Sequence, residues 1–194
     1  MSATATCRKS DKTLWPAMSI YIVLLRAIGP LTHKVMSMQQ WRDAAAAAGY
    51  DNPQTYVATG NMIVGSDKGI AEVTAGMNAV VRSLGLGPGN VAVVRKAAQL
   101  TRLVKANRFP EAAAGRPGEL AVYFFAGARP DFSWLDGYDG PEGIHIEGAH
   151  LFVDYAGRAS LSPRLPGLIE KRSGTATARN WNTVRGLAER SALR

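Results

Sequence analysis

Apolar residues along this chain fall into short blocks whose spacing alternates between two periods. "SIYIVLLRA" (residues 19–27) is a continuous β-branched and aliphatic run, the pattern of a strand buried on both faces. "IGPLTHKV" follows, is broken by Gly29 and Pro30, and reads as a loop. "SMQQWRDAAAAAG" then changes period. Met38, Trp41, Ala45 and Ala48 recur at helical spacing, Ser37 and Gln40 form a capping box, and Gly49 offers a left-handed stop. "QTYVATGNMIVGS" reads as two short strands joined at Thr59-Gly60-Asn61, because Gly and Asn tolerate the positive φ of tight turns. "GIAEVTAGMNAVVRSLG" places Ile70, Val73, Met77, Val80, Val81 and Leu84 on one helical face, and "NVAVVRK" is a strand. The order β-α-β-β-α-β is that of a split ferredoxin-like unit.

The second half repeats the rhythm without repeating residues. "AAQLTRLVKAN" is a helix ended by Asn107 and Pro110, and "ELAVYFFAG" is a buried strand. A turn-rich stretch spans residues 131–140. "GIHIEGAHLFVDYAG" is a hairpin turning near Gly148, and "LPGLIEKR" is a short helix broken into by Pro163 and Pro166. The last periodic segment, "TATARNWNTVRGLAER", is a terminal helix starting near Thr177, which caps it. Trp181, Val184 and Ala188 form its apolar stripe, and Arg179, Asn182, Gly186 and Arg190 lie on another side. The predicted fold is α+β: two packed, pseudo-duplicated ferredoxin-like (split βαβ) subdomains with a C-terminal helix. The first covers residues 18–96 and the second 97–194, with no linker between them. Residues 1–17 read as a disordered leader, an upstream start or an expression remnant.

Composition narrows the class. Apolar residues make up 46% and charged residues 20% of the 194, which is globular rather than disordered. No aliphatic run approaches the ~20 residues that span a bilayer, and the first residues lack a signal-peptide core. The single cysteine, Cys7, rules out an intrachain disulfide and a thiolate cluster, so a reducing, cytoplasmic setting is expected. The net charge of +8 is unevenly spread. Residues 157–194 hold eight Lys/Arg and two Glu, whereas residues 18–156 hold twelve of each sign. A segregated basic tail is the footprint of an anionic partner, or of a solvated helix.

Recognisable chemistry is sparse. "GLGPGN" (residues 85–90) closes a helix and precedes a strand, the reverse of a dinucleotide fingerprint, so it reads as a turn. His145 and His150 flank one hairpin turn with Glu147 between them, and a turn centred on Gly148-Ala149 sets Glu147 opposite His150. No third firm ligand is evident, and neither a metal nor a cofactor is expected. Asp131, Asp136, Asp139 and Glu142 look like loop formers, and Ser160 and Ser162 lack a histidine partner. There is no catalytic motif.

Three stretches, "YIVLLRAIG", "TYVATGNMIV" and "TARNWNTVRGLAE", together resemble the bacterial domain of unknown function family 1697, in order and in spacing, from about Met18 to the C-terminus. Family members typically follow the first strand's Leu-Arg with a Gly-Ile-Asn-Val-Gly-Gly-like loop. This chain has Ala27-Ile28-Gly29-Pro30-Leu31-Thr32 instead, and Thr59-Gly60-Asn61 where Ser-Gly-Asn is usual. The resemblance implies ferredoxin-like α+β subdomains and a cytoplasmic bacterial protein, with no established activity.

Candidate site residues follow from these strings. Arg26, Asn61, Arg179, Asn182 and Arg185 are candidates for binding an anion or ligand, and Trp181, Asn180 and Thr177 for anchoring the terminal helix. The structural alternative is that the Arg and Asn side chains satisfy loop backbone groups. Three functions are open: a non-catalytic module for an anionic partner (nucleic acid or nucleotide), an enzyme acting on a small phosphorylated or carboxylated metabolite, and a structural or interaction protein without a ligand. RNA-recognition sheets carry stacking aromatics on an open face, and "AVYFFAG" offers Tyr123 and Phe125 on one side and Phe124 on the other.

Overall fold

The computed structural model describes residues 18–156 and 164–194. The expected leader with Cys7, and Ser160, Ser162 and Pro163, lie outside the described residues. Two four-stranded antiparallel sheets organise the chain. The first contains β1 (Ser19–Leu25), β2 (Asp51–Thr55), β3 (Asn61–Ser66) and β4 (Ala92–Lys96) in the order β2-β3-β1-β4. The second contains β5 (Leu120–Phe125), β6 (Gly143–Glu147), β7 (His150–Asp154) and β8 (Ala176–Asn180) in the order β6-β7-β5-β8. Each sheet therefore places its first strand between its third and its fourth, antiparallel to both.

Both faces of each sheet are covered, which is why β1 and β5 are apolar without alternation. Tyr21, Val23 and Leu25 point into a core with α2 (Met38–Ala47) and α3 (Ile70–Ser83), where Trp41, Val73 and Met77 are fully buried. Ile22 and Leu24 point the other way. They join Val122 and Phe124 of β5 in a central core with α4 (Ala97–Lys105) and α7 (Trp181–Ala192). Tyr123 and Phe125 face a third core, against Leu165 and Ile169 of α6 (Leu165–Ser173). Tyr123, Phe124 and Phe125 are all buried, so the β5 aromatics do not form the open stacking face considered above.

The capping box at Ser37 and Gln40 forms in both directions. Elsewhere the structure differs from the pattern. The loop at "IGPLTHKV" contains a short helix, α1 (Pro30–Val35), and Pro110 opens α5 (Pro110–Gly115) rather than ending structure. Both prolines sit in a first turn, where their missing N–H costs nothing. β2 begins at Asp51, earlier than expected, through an irregularity in which Asn52 takes φ +41°.

The largest correction concerns the C-terminus. Thr177 does not cap a helix. It lies in β8, an edge strand paired with β5, and the helix begins at Trp181. Its cap is Asn180, whose side-chain oxygen accepts the Thr183 N–H at 3.0 Å. Arg179 and Asn182 accordingly do not share a helix face.

Candidate functional site

The strand that replaces the expected helix turn determines what Arg179 does. Alternation along β8 turns Thr177 and Arg179 inward, towards the ends of β1 and β3. Gly60 precedes β3 with φ +74°, and its carbonyl accepts the Leu25 N–H at 2.7 Å. A Cβ at Gly60 would stand 2.6 Å from an Ile28 side-chain carbon, so the close approach also needs glycine.

Arg179 is buried, with all five N–H donors engaged. Nε donates to Asn61 Oδ1. Nη1 donates to Thr177 Oγ1 at 2.6 Å and to the Ala178 carbonyl at 2.8 Å. Nη2 donates to the carbonyls of Leu25 at 2.8 Å and Gly60 at 3.3 Å. None of these acceptors is a carboxylate. Burial pushes the guanidinium pKa down to about 10, which leaves it charged at neutral pH. Asn61 is fully buried and equally committed, its amide donating to the Tyr56 carbonyl and to Thr59 Oγ1, each at 3.0 Å.

A second arginine, overlooked in the sequence, does the same in the opposite direction. Arg95 at the end of β4 donates from Nε to His150 Nε2 at 3.0 Å and from Nη2 to the Phe125 carbonyl at 2.7 Å. Its Nη1 bonds its own neighbour's carbonyl, at Val94, as Arg179 bonds that of Ala178. The register makes the correspondence explicit. Arg95 stands opposite Ile22 on β1 and Arg179 opposite Val122 on β5. Asn61 opens β3 opposite Leu24, and His150 opens β7 opposite Phe124. Each sheet thus sends an arginine from its last strand to the end of the other sheet's first strand and to the first residue of its third.

His150 is buried, edge-on to Phe124 with ring centroids 5.3 Å apart. Desolvation, reinforced by the Arg95 charge, pushes its pKa down to about 4, so it is neutral at pH 7. With Nε2 accepting from Arg95, Nδ1 carries the proton and faces the Glu147 carbonyl at 3.3 Å. Glu147 does pair with His150 across the hairpin. Among the described residues, no group of three His, Cys, Asp or Glu side chains is placed to hold a metal ion.

The remaining candidates lie apart. Arg26 makes a two-pronged ion pair with Glu170 of α6 at 2.7 and 2.9 Å and also reaches the Gly89 carbonyl. The Arg26 bond holds the Glu170 carboxyl below its usual range. Arg26, Glu170, Tyr123, Pro166 and Thr177 line a cleft of about 380 Å³ between the halves; Arg179 and Asn61 do not line it. Asn182 and Arg185 are exposed on α7, Arg185 lying 3.8 Å from Glu189. Trp181 is buried beside Phe152, with its backbone N–H donating to the Pro117 carbonyl, and anchors α7. One signal could have revealed Arg95. Arg95-Lys96-Ala97 and Arg179-Asn180-Trp181 are the same strand-to-helix passage, visible once residues 176–180 are read as a strand.

Comparison with known proteins adds a family and a fold. A family model described as "Protein of unknown function (DUF1697)" matches residues 18–152. The structure of conserved bacterial protein SP0830 from Streptococcus pneumoniae is similar, with a TM-score of 0.70 at 14% identity. The match covers 91% of this chain and 99% of that one. No curated protein matches the chain.

Proposed function

We propose that this chain, which belongs to the DUF1697 family of proteins of unknown function, is a non-catalytic module that binds an anionic polymer, nucleic acid, on the outward side of α4 and α7. The observation that carries this reading is the charge of the two helices, which pack on each other. Residues 96–108 contain Lys96, Arg102, Lys105 and Arg108, all exposed, and no acidic residue. Residues 181–194 add exposed Arg185, Arg190 and Arg194 against one acid, Glu189. Arg185 stays within the binding surface, whereas Arg179 and Asn61 are committed to each other and to backbone, and Arg26 to Glu170 of α6. The fold reading that accompanies this proposal is a duplicated ferredoxin-like unit, supported by the shared strand order and by the matched arginines. A reducing intracellular setting accords with the single cysteine.

The test is fluorescence anisotropy of a labelled oligonucleotide over a salt series. Affinity should fall with a log–log slope of roughly −0.9 per phosphate contacted for duplex DNA. Arg102→Glu combined with Arg185→Glu should weaken binding at least tenfold. Absence of binding at low salt, or binding indifferent to salt, contradicts the reading.

A further inference from the structure

We infer that the seam between the two halves is a self-complementary interface, and that its intermolecular partner is a second copy of this chain, engaged by exchange of halves. Three observations carry this, and none depends on nucleic-acid binding. First, the contacts across the seam are reciprocal. Arg95 reaches His150 and the Phe125 carbonyl, and Arg179 reaches Asn61 and the Leu25 carbonyl, from matching strand positions. Second, the helices that follow these arginines meet at the seam. α4 starts directly after β4 and α7 directly after β8; they pack on each other, and α7 also packs on β1 of the other sheet. Gly186 of α7 lies under the phenol end of Tyr56, which a Cβ there would displace. Arg190 stacks over the same ring at 4.8 Å. Third, one short connector, residues 106–109 between α4 and α5, joins the first half to the second, and α5 beyond it packs into the central core.

An interface of this kind closes equally well within one chain or between two. If β1–α4 of one copy met α5–α7 of another, Arg95 and Arg179 would keep their partners and the central core, Ala112 of α5 included, would be rebuilt unchanged. Only the path of residues 106–109 would differ. The connector favours the closed monomer, because a short tether gives the halves an effective concentration of about millimolar. Shortening the connector, or refolding near that concentration, removes the advantage.

The experiment compares the intact chain refolded from denaturant at ~1 mM with the same chain refolded at ~1 µM. A variant lacking residues 106–108, which separate α4 from α5, forms the second arm. Size-exclusion chromatography with light scattering reads mass, and intrinsic tryptophan fluorescence, to which the buried Trp181 contributes, reads native packing. The inference expects a dimer fraction after concentrated refolding that persists for hours on dilution, with native tryptophan emission. It expects the shortened variant to be dimeric at ~1 µM. If that variant does not fold, the intact chain decides alone. Monomers at every concentration, or a dimer that separates as fast as it is diluted, overturn the inference.

Discussion

Arg95 and Arg179 stand at matching places in the two sheets, opposite Ile22 and Val122, and each donates through Nε and Nη2 to the other sheet. Neither meets a carboxylate there. A buried guanidinium held only by neutral acceptors is stable when every donor is used, because the hydrogen bonds replace the lost water. Arg179 meets that requirement with all five donors, which makes it sensitive to change in a way that surface arginines are not.

Arg179→Ala removes five hydrogen bonds at a buried site and should destabilise the fold by about 3 kcal/mol or more. Arg179→Lys keeps the charge but supplies three donors without the planar fork, and should lose about 2 kcal/mol. Chemical denaturation measures both.

Arg26 offers the contrast. Its pair with Glu170 is two-pronged but about a third exposed on each side, so solvent screens it. Arg26→Ala should cost less than about 1 kcal/mol in the same assay. The loss should shrink further at high salt.

The Arg95 bond depends on a neutral His150. The folded pKa of about 4 lies below the ~6.5 of an unfolded histidine, so the unfolded chain binds more protons between these values. The contribution is complete above pH ~6.5 and lost as pH falls towards 4, a total of roughly 3 kcal/mol. His150→Gln should flatten the wild-type slope in that window. Equal slopes in urea melts from pH 4 to 7 would contradict the assignment.

Ala27 follows Arg26 with φ +59°, in the left-handed region that costs an L-residue about 1–2 kcal/mol. Ala27→Gly should therefore raise stability by about 1 kcal/mol, read as a higher melting temperature.

Where periodicity was strong, the chain could be read directly. The continuous apolar runs of β1 and β5 and the faces of α2 and α3 announced themselves, because burial on both sides of a strand leaves no room for alternation. β8 was hidden. Ala-Thr-Ala-Arg-Asn has no β-branched run, its alanines favour helix, and only pairing with β5 makes it a strand. Losing β8 misplaced the cap and set Arg179 beside Asn182. Arg95 went unread, and His150 was read only within its own hairpin, for a related reason. Each belongs to a strand end, and their meeting joins residues far apart in sequence. No local pattern encodes that contact.

The central claim is that the reciprocal arginines hold the halves together. A double-mutant cycle on Arg179→Ala and Asn61→Ala, measured by urea unfolding, tests it most directly. The account predicts that the two losses fall short of additive by about 1–3 kcal/mol, with a single cooperative transition in the wild type. Strictly additive losses, or Arg179→Ala unfolding at the wild-type midpoint, would contradict it.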